Sequence, residues 1–187
     1  MEKKPRIRLS KSARKRRGPV TIVTTDAIVR VAGPEDEAGF MKLAKMMHNE
    51  NGLFELNEQK VAEMVRPALR RENGIVGVIG PKDNLEAFIF LRACSTWYSD
   101  EIYLEELSVF VHPDYRSAKD SRVRKLITFA KEVAEGLGVP LLIGILSNQR
   151  TPAKVAFYER QFGDSAGAFF VWGRKTGFAQ EHDTTKH

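Results

Sequence analysis

The sequence predicts an α/β domain with a mixed sheet, and three observations carry that prediction. Short β-branched and apolar runs alternate with amphipathic stretches along most of the chain. The apolar period changes from two to 3.6 just after Pro113. The resulting order is strand, two helices, three strands, helix, strand, helix, strand, which places helices around one sheet.

Each element has a local reason. Val20–Thr24 and Ile28–Val31 are β-branched and read as short strands, stopped by Gly33-Pro34. Phe40, Leu43, Ala44 and Met47 recur at helical spacing, and Asn51-Gly52 ends that helix. Asn57 caps a second helix with Val61, Met64, Val65 and Leu69 on one face, and Asn73-Gly74 stops it. Ile75–Ile79 and Leu85–Arg92 flank the turn Pro81–Asn84 and pair as an antiparallel hairpin. Ile102–His112 is a longer strand ended by Pro113, which cannot donate to a ladder.

Val123, Leu126, Ile127, Ala130, Val133, Ala134 and Leu137 form a helical stripe closed by Gly138 and Pro140. Leu141–Leu146 is wholly apolar, as a buried strand is. Thr151-Pro152 opens a last helix, with a capping hydroxyl before a proline at its first position. Val155, Tyr158 and Phe162 share one face of it, and Gly167–Gly173 reads as the final strand. The boundaries expected are a basic arm over 1–19, one domain over 20–175 and a polar tail over 176–187.

Charge is divided unevenly. The chain of 187 residues carries +6, but residues 1–19 hold nine basic residues and one acid, so the arm alone is +8 and the remainder about −2. Two readings of the arm stand open: a solvated tail, or a segment that binds nucleic acid or another acidic partner by neutralising phosphates. A basic cluster of this kind also serves as a targeting address. No apolar run approaches the roughly 18 residues of a membrane span. The N-terminus has no apolar stretch behind its charges and does not read as a secretory signal. The single cysteine, Cys94, excludes an internal disulfide, and no Cys/His spacing suits a metal. A cytoplasmic location is the expectation.

The chemically informative stretch runs from Leu104 to Arg124. A strand feeds a loop, Asp114–Lys119, that turns into a long helix. Unpaired N–H groups and the positive dipole end at such a helix start favour a phosphate. Arg116, Lys119, Arg122 and Arg124 add positive charge, and Ser117, Ala118 and Ser121 are small enough for close approach. The same residues read equally well as an ordinary strand, loop and helix with a solvated basic face.

The run Leu107-Ser108-Val109-Phe110-Val111-His112-Pro113-Asp114-Tyr115-Arg116 resembles the fourth strand and following turn of the Gcn5-related N-acetyltransferases, a family whose pattern there is L-x-V-x-P-x-x-R. The family's acetyl-CoA signature, R/Q-x-x-G-x-G/A, then falls on Arg116–Ser121. Lys119 and Ser121 replace its small residues, so the loop is atypical. The resemblance covers roughly residues 28–173. It implies a mostly antiparallel sheet with splayed strands 4 and 5 and about four helices. It also implies an acetyl-CoA site on the backbone of Val109 and Val111 and on Arg116, Ser117, Ala118, Lys119, Ser121 and Arg122.

Acetyl transfer to an amine needs a base to accept a proton. Glu105 and Glu106 stand on the implied strand, and as neighbours they face opposite sides. Glu106 is favoured, because strict alternation gives it the parity of Ser108 and Phe110, away from the Leu107/Val109/Val111 stripe. The segment Thr151–Phe162 is similar to the family's helix that carries a tyrosine, which makes Tyr158 a candidate acid toward the leaving thiolate. Metal is not required. The acceptor is an amine, on a small molecule or a protein, and a domain charge near −2 suits a cationic one. Trp97 and Tyr98 are open to two readings, acceptor pocket or packing. The competing reading of the whole chain is a non-catalytic protein of the same fold whose arm holds it on an acidic partner.

Overall fold

The computed structural model describes residues 27–116, 121–146 and 151–170. The elements are β1 (Arg30–Val31), α1 (Glu37–Asn51), α2 (Glu58–Leu69), β2 (Gly74–Ile79), β3 (Ala87–Ser95), β4 (Ile102–Val111), α3 (Arg122–Leu137), β5 (Leu141–Ile143) and α4 (Thr151–Phe162). Single 3₁₀ turns, Pro34–Asp36 and Pro113–Tyr115, precede α1 and follow β4. The five strands lie in the order β1-β2-β3-β4-β5, antiparallel except for the parallel β4/β5 pair.

Alternation along the strands sorts the core into two layers. Val76, Val78, Phe88, Phe90 and Phe110 face α1 and α2, where they meet Phe40, Leu43, Val65 and Leu69. Ile79, Ala87, Ile89, Leu91 and Leu104 face the other way, onto Leu126, Ile127 and Ala130 of α3. Phe40 is the keystone of the first layer, its ring 4.6 Å from Phe88 and 6.0 Å from Phe90. The helix signals operate as the residues dictate: Asn57 accepts a bond from the Lys60 N–H at 2.9 Å, and Gly138 closes α3 in the left-handed conformation at φ 66°.

Gly77 lets α3 approach the sheet. A Cβ there would lie 2.6 Å from the Phe129 ring and 3.1 Å from an Ile89 methyl. Gly77→Ala therefore overpacks this layer, with an expected loss of about 2 kcal/mol in urea unfolding.

Four strands differ by two residues or more from the sequence expectation. The first strand shrinks to Arg30–Val31 because Ile28 is 76% exposed and has no ladder partner. The third begins at Ala87 and runs on to Ser95, because Ala93, Cys94 and Ser95 find partners in Leu104, Tyr103 and Ile102. The fifth pairs only over Leu141–Ile143, where it leaves β4. Residues 167–170 form no strand, with Phe169 and Phe170 exposed; the rest of the expected final strand lies outside the described residues, as do Val20–Thr24, the arm and the tail.

Candidate active site

The site is built on β4. Phe90 pairs with Ser108 but Leu91 pairs with Glu106, so Leu107 is an extra residue, a bulge. One extra residue reverses the parity of everything before it. Glu106 therefore shares a face with Leu104 on one side of the bulge and with Val109 and Val111 on the other, toward α3 and α4. This corrects the strict alternation that grouped Glu106 with Ser108 and Phe110. Glu105 points to the α1/α2 side, where its carboxylate accepts bonds from Arg92 at 3.2 Å and from the Cys94 thiol at 3.3 Å.

The bulge coincides with a fork. β5 pairs with Leu104, Glu105 and Glu106 and with nothing beyond. Past that point β4 has β3 on one side and, among the described residues, no strand on the other. The ladder fixes which way its groups point. The His112 N–H donates to the Glu86 carbonyl at 2.8 Å, so His112, Phe110 and Ser108 direct their backbone groups toward β3. By alternation Val109 and Val111 turn theirs to the open edge. The Val111 carbonyl accepts a bond there from Arg116 Nε at 2.9 Å.

Glu106 stands where the fork opens. The residue keeps some solvent contact, but its carboxyl is enclosed by protein, and that burial pushes it up from about 4.5 to about 8, with the charge of Glu105 adding to the effect. Tyr158 of α4 packs in the same layer as Leu141 and Ile143. Its hydroxyl is raised well above the usual phenol value, first by burial and then by the negative charge of Glu106. The two candidate groups named from sequence thus come within electrostatic reach of each other. α4 is held in place by Lys131 of α3, which donates to the Gln161 carbonyl at 2.6 Å and lies 4.4 Å from the centre of the Phe162 ring.

The turn after β4 is braced rather than loose. Arg122, only 7% exposed, points inward: Nε donates to Glu86 at 2.7 Å, Nη1 donates to the Tyr115 carbonyl at 3.2 Å, and the guanidinium lies 5.0 Å from the Tyr115 ring centre. Asn84 in turn donates to the Tyr115 hydroxyl at 3.0 Å. Ser121 is the N-cap of α3 but makes no side-chain cap bond; its carbonyl accepts from Arg124 and Lys125. Arg116 binds Glu50 through both terminal nitrogens, at 3.0 and 2.7 Å. Ser117, Ala118 and Lys119 lie outside the described residues. An open strand edge that leads to a helix start whose Ser121 makes no side-chain cap bond suits a ligand with an extended amide arm and a diphosphate.

Sequence reasoning missed Glu50, Glu86 and Tyr115. Glu50 and Glu86 meet their arginines across 66 and 36 residues, a separation that no local pattern reports. Trp97 and Tyr98 meet edge to face, ring centres 5.4 Å apart, in the β3–β4 loop and are 95% and 72% exposed. A concavity of about 480 Å³ is lined by Lys131, Gly138, Leu141 and Phe162 and includes neither Glu106 nor Tyr158. Among the described residues no group of three or more His, Cys, Asp or Glu is placed to hold a metal, and no helix is long and apolar enough to cross a membrane.

A five-stranded mixed sheet with a parallel β4/β5 pair and four helices matches the fold of the Gcn5-related N-acetyltransferases. Among solved structures the chain is similar to a possible acetyltransferase from Clostridium difficile 630, at 16% identity, TM-score 0.61, over 80% of this chain and 99% of that one. It is similar to the ribosomal-protein-alanine N-acetyltransferase of Brucella melitensis biovar Abortus 2308, at 16% identity, TM-score 0.57, over 80% and 99%. It is also similar to AAC(6')-Iy in complex with a bisubstrate analogue, CoA-S-monomethyl-acetylneamine, at 13% identity, TM-score 0.58, over 81% and 99%. No protein-family model and no curated protein matches the sequence.

Proposed function

We propose that this chain is an N-acetyltransferase that takes its acetyl group from acetyl-CoA and passes it to an amine on a small molecule or a protein. The observation that carries the reading is the buried carboxyl of Glu106 at the point where β4 loses its second neighbour, with Tyr158 in the same layer. Acetyl-CoA, when bound, supplies an acetyl thioester. Val109 and Val111 offer backbone donors and acceptors to its arm, the start of α3 at Ser121 and Arg122 offers backbone N–H groups to its diphosphate, and Arg116, Ser117, Ala118 and Lys119 are the further contacts proposed for it. The Glu106 carboxylate takes the proton that an attacking amine must lose. Tyr158, protonated throughout the working range, gives a proton to the departing sulfur. Glu105 is bonded to Arg92 and Cys94 and orients that face rather than acting as base.

A domain over 20–175, an arm over 1–19 and a tail over 176–187 complete the proposed organisation, and a reducing cytoplasm suits the free thiol of Cys94. A second reading, a non-catalytic protein held on nucleic acid by the arm, draws on Lys119 and Ser121 in the signature and on the +8 charge of residues 1–19. Thermal unfolding with acetyl-CoA separates the two. At 100 times its dissociation constant the ligand stabilises by about 2.7 kcal/mol, which corresponds to a rise of roughly 5–10 °C for a chain of this size. No rise at millimolar acetyl-CoA removes the transferase reading.

A further inference from the structure

α1 ends beside the open edge of β4, and its last residues hold both sides of the fork. Asn51 Oδ1 accepts a bond from Lys154 of α4 at 2.9 Å. Glu50 takes the guanidinium of Arg116, from the turn after β4, in a two-pronged ion pair. The same Arg116 donates through Nε to the Val111 carbonyl, with its guanidinium carbon 5.2 Å from the Phe110 ring centre. That carbonyl belongs to the open edge. The Arg116 side chain therefore lies across the backbone groups with which an added strand, or any ligand extended like one, would pair.

We propose that the Glu50–Arg116 pair is a latch on the open β4 edge, which caps the edge in the free chain and is released when a diphosphate-bearing ligand takes Arg116 from Glu50. The inference rests on the acetyl-CoA reading above. Its energetics follow from exposure. The Arg116 and Glu50 side chains are 39% and 29% exposed, so the pair is partly screened by water and its contribution is small. A diphosphate carries more charge and matches the planar fork of arginine as well as a carboxylate does. The latch is thus strong enough to order the edge and weak enough to yield. Its release leaves the end of α1 tied to the rest of the fork by Asn51 and Lys154, so ligand binding is coupled to the position of the α1–α2 connection.

The test is calorimetric titration of the full chain with CoA, in a double-variant cycle. Glu50→Gln keeps the size of the side chain and removes its charge, and is expected to bind CoA about three- to fivefold more tightly than the wild type. Arg116→Gln weakens binding, and adding Glu50→Gln to it changes nothing further, because the latch is already gone. Equal tightening in both backgrounds would mean plain repulsion between Glu50 and the ligand, and would overturn the latch. Unchanged or weaker binding by Glu50→Gln would overturn it as well. If the wild type binds CoA and only the cycle fails, the acetyl-CoA reading stands and the latch falls. If no variant binds at millimolar CoA, both fall together.

Discussion

Glu106→Gln loses about 10²- to 10⁴-fold in acetyl transfer and yet unfolds at a higher temperature than the wild type above pH 8. The rate loss follows from removing the only proton acceptor proposed at the fork. The gain in stability follows from the same burial that makes the residue useful. In the folded chain the carboxyl titrates near 8, whereas its ordinary value is about 4.5. Between those values the folded chain holds a proton that the unfolded chain has released, so rising pH favours unfolding. At 1.36 kcal/mol per unit, the penalty grows to roughly 5 kcal/mol once the folded carboxyl is ionised. Glutamine has no such slope. The difference in melting temperature between variant and wild type should therefore widen from pH 5 to pH 8 and then level off. The wild-type kcat/KM should rise with pH over the same range, with a midpoint near 8, because the base acts only when ionised. A flat rate profile, or a variant that keeps its activity, would remove Glu106 from the chemistry.

Arg122→Leu is expected to cost about 3 kcal/mol in denaturant unfolding and to weaken CoA binding at least tenfold. The side chain joins three pieces: Glu86 at the head of β3, the Tyr115 carbonyl in the turn, and α3 at its own first residue. Removing it strands the Glu86 carboxylate, whose side chain is only 19% exposed, and breaking such a pair on one side is the expensive case. Removing both partners is much cheaper. Arg122→Leu combined with Glu86→Leu should recover most of the stability. It should not recover CoA affinity, since the turn that presents the start of α3 has lost its brace. Recovery of both together would show that Arg122 acts only through general stability.

Much of this could be read from local patterns. The helical stripe Val123–Leu137 and the Asn57 cap depend on neighbours within a few residues, and they appear as expected. Glu106 and Tyr158 were legible as candidates because each sits in a motif of fixed spacing on one element. The face that Glu106 occupies was not. The apolar run Leu107, Val109, Val111 looks like an unbroken alternation, and only the partner residues on β3 reveal that Leu107 is extra. The extents of β3 and β5 were misjudged for a related reason, since a strand ends where its partner ends, not where its apolar residues do.

Sequence by itself therefore determined the order and type of the elements from β1 to α4 and named candidates for the chemistry, because period, capping and turn residues act over one or two turns of chain. Tertiary structure alone decided which glutamate turns toward α4, where β4 loses its neighbour, and which carboxylates claim Arg116 and Arg122. Those outcomes depend on strand register and on charges brought together from distant positions, and neither is encoded in any short stretch of residues.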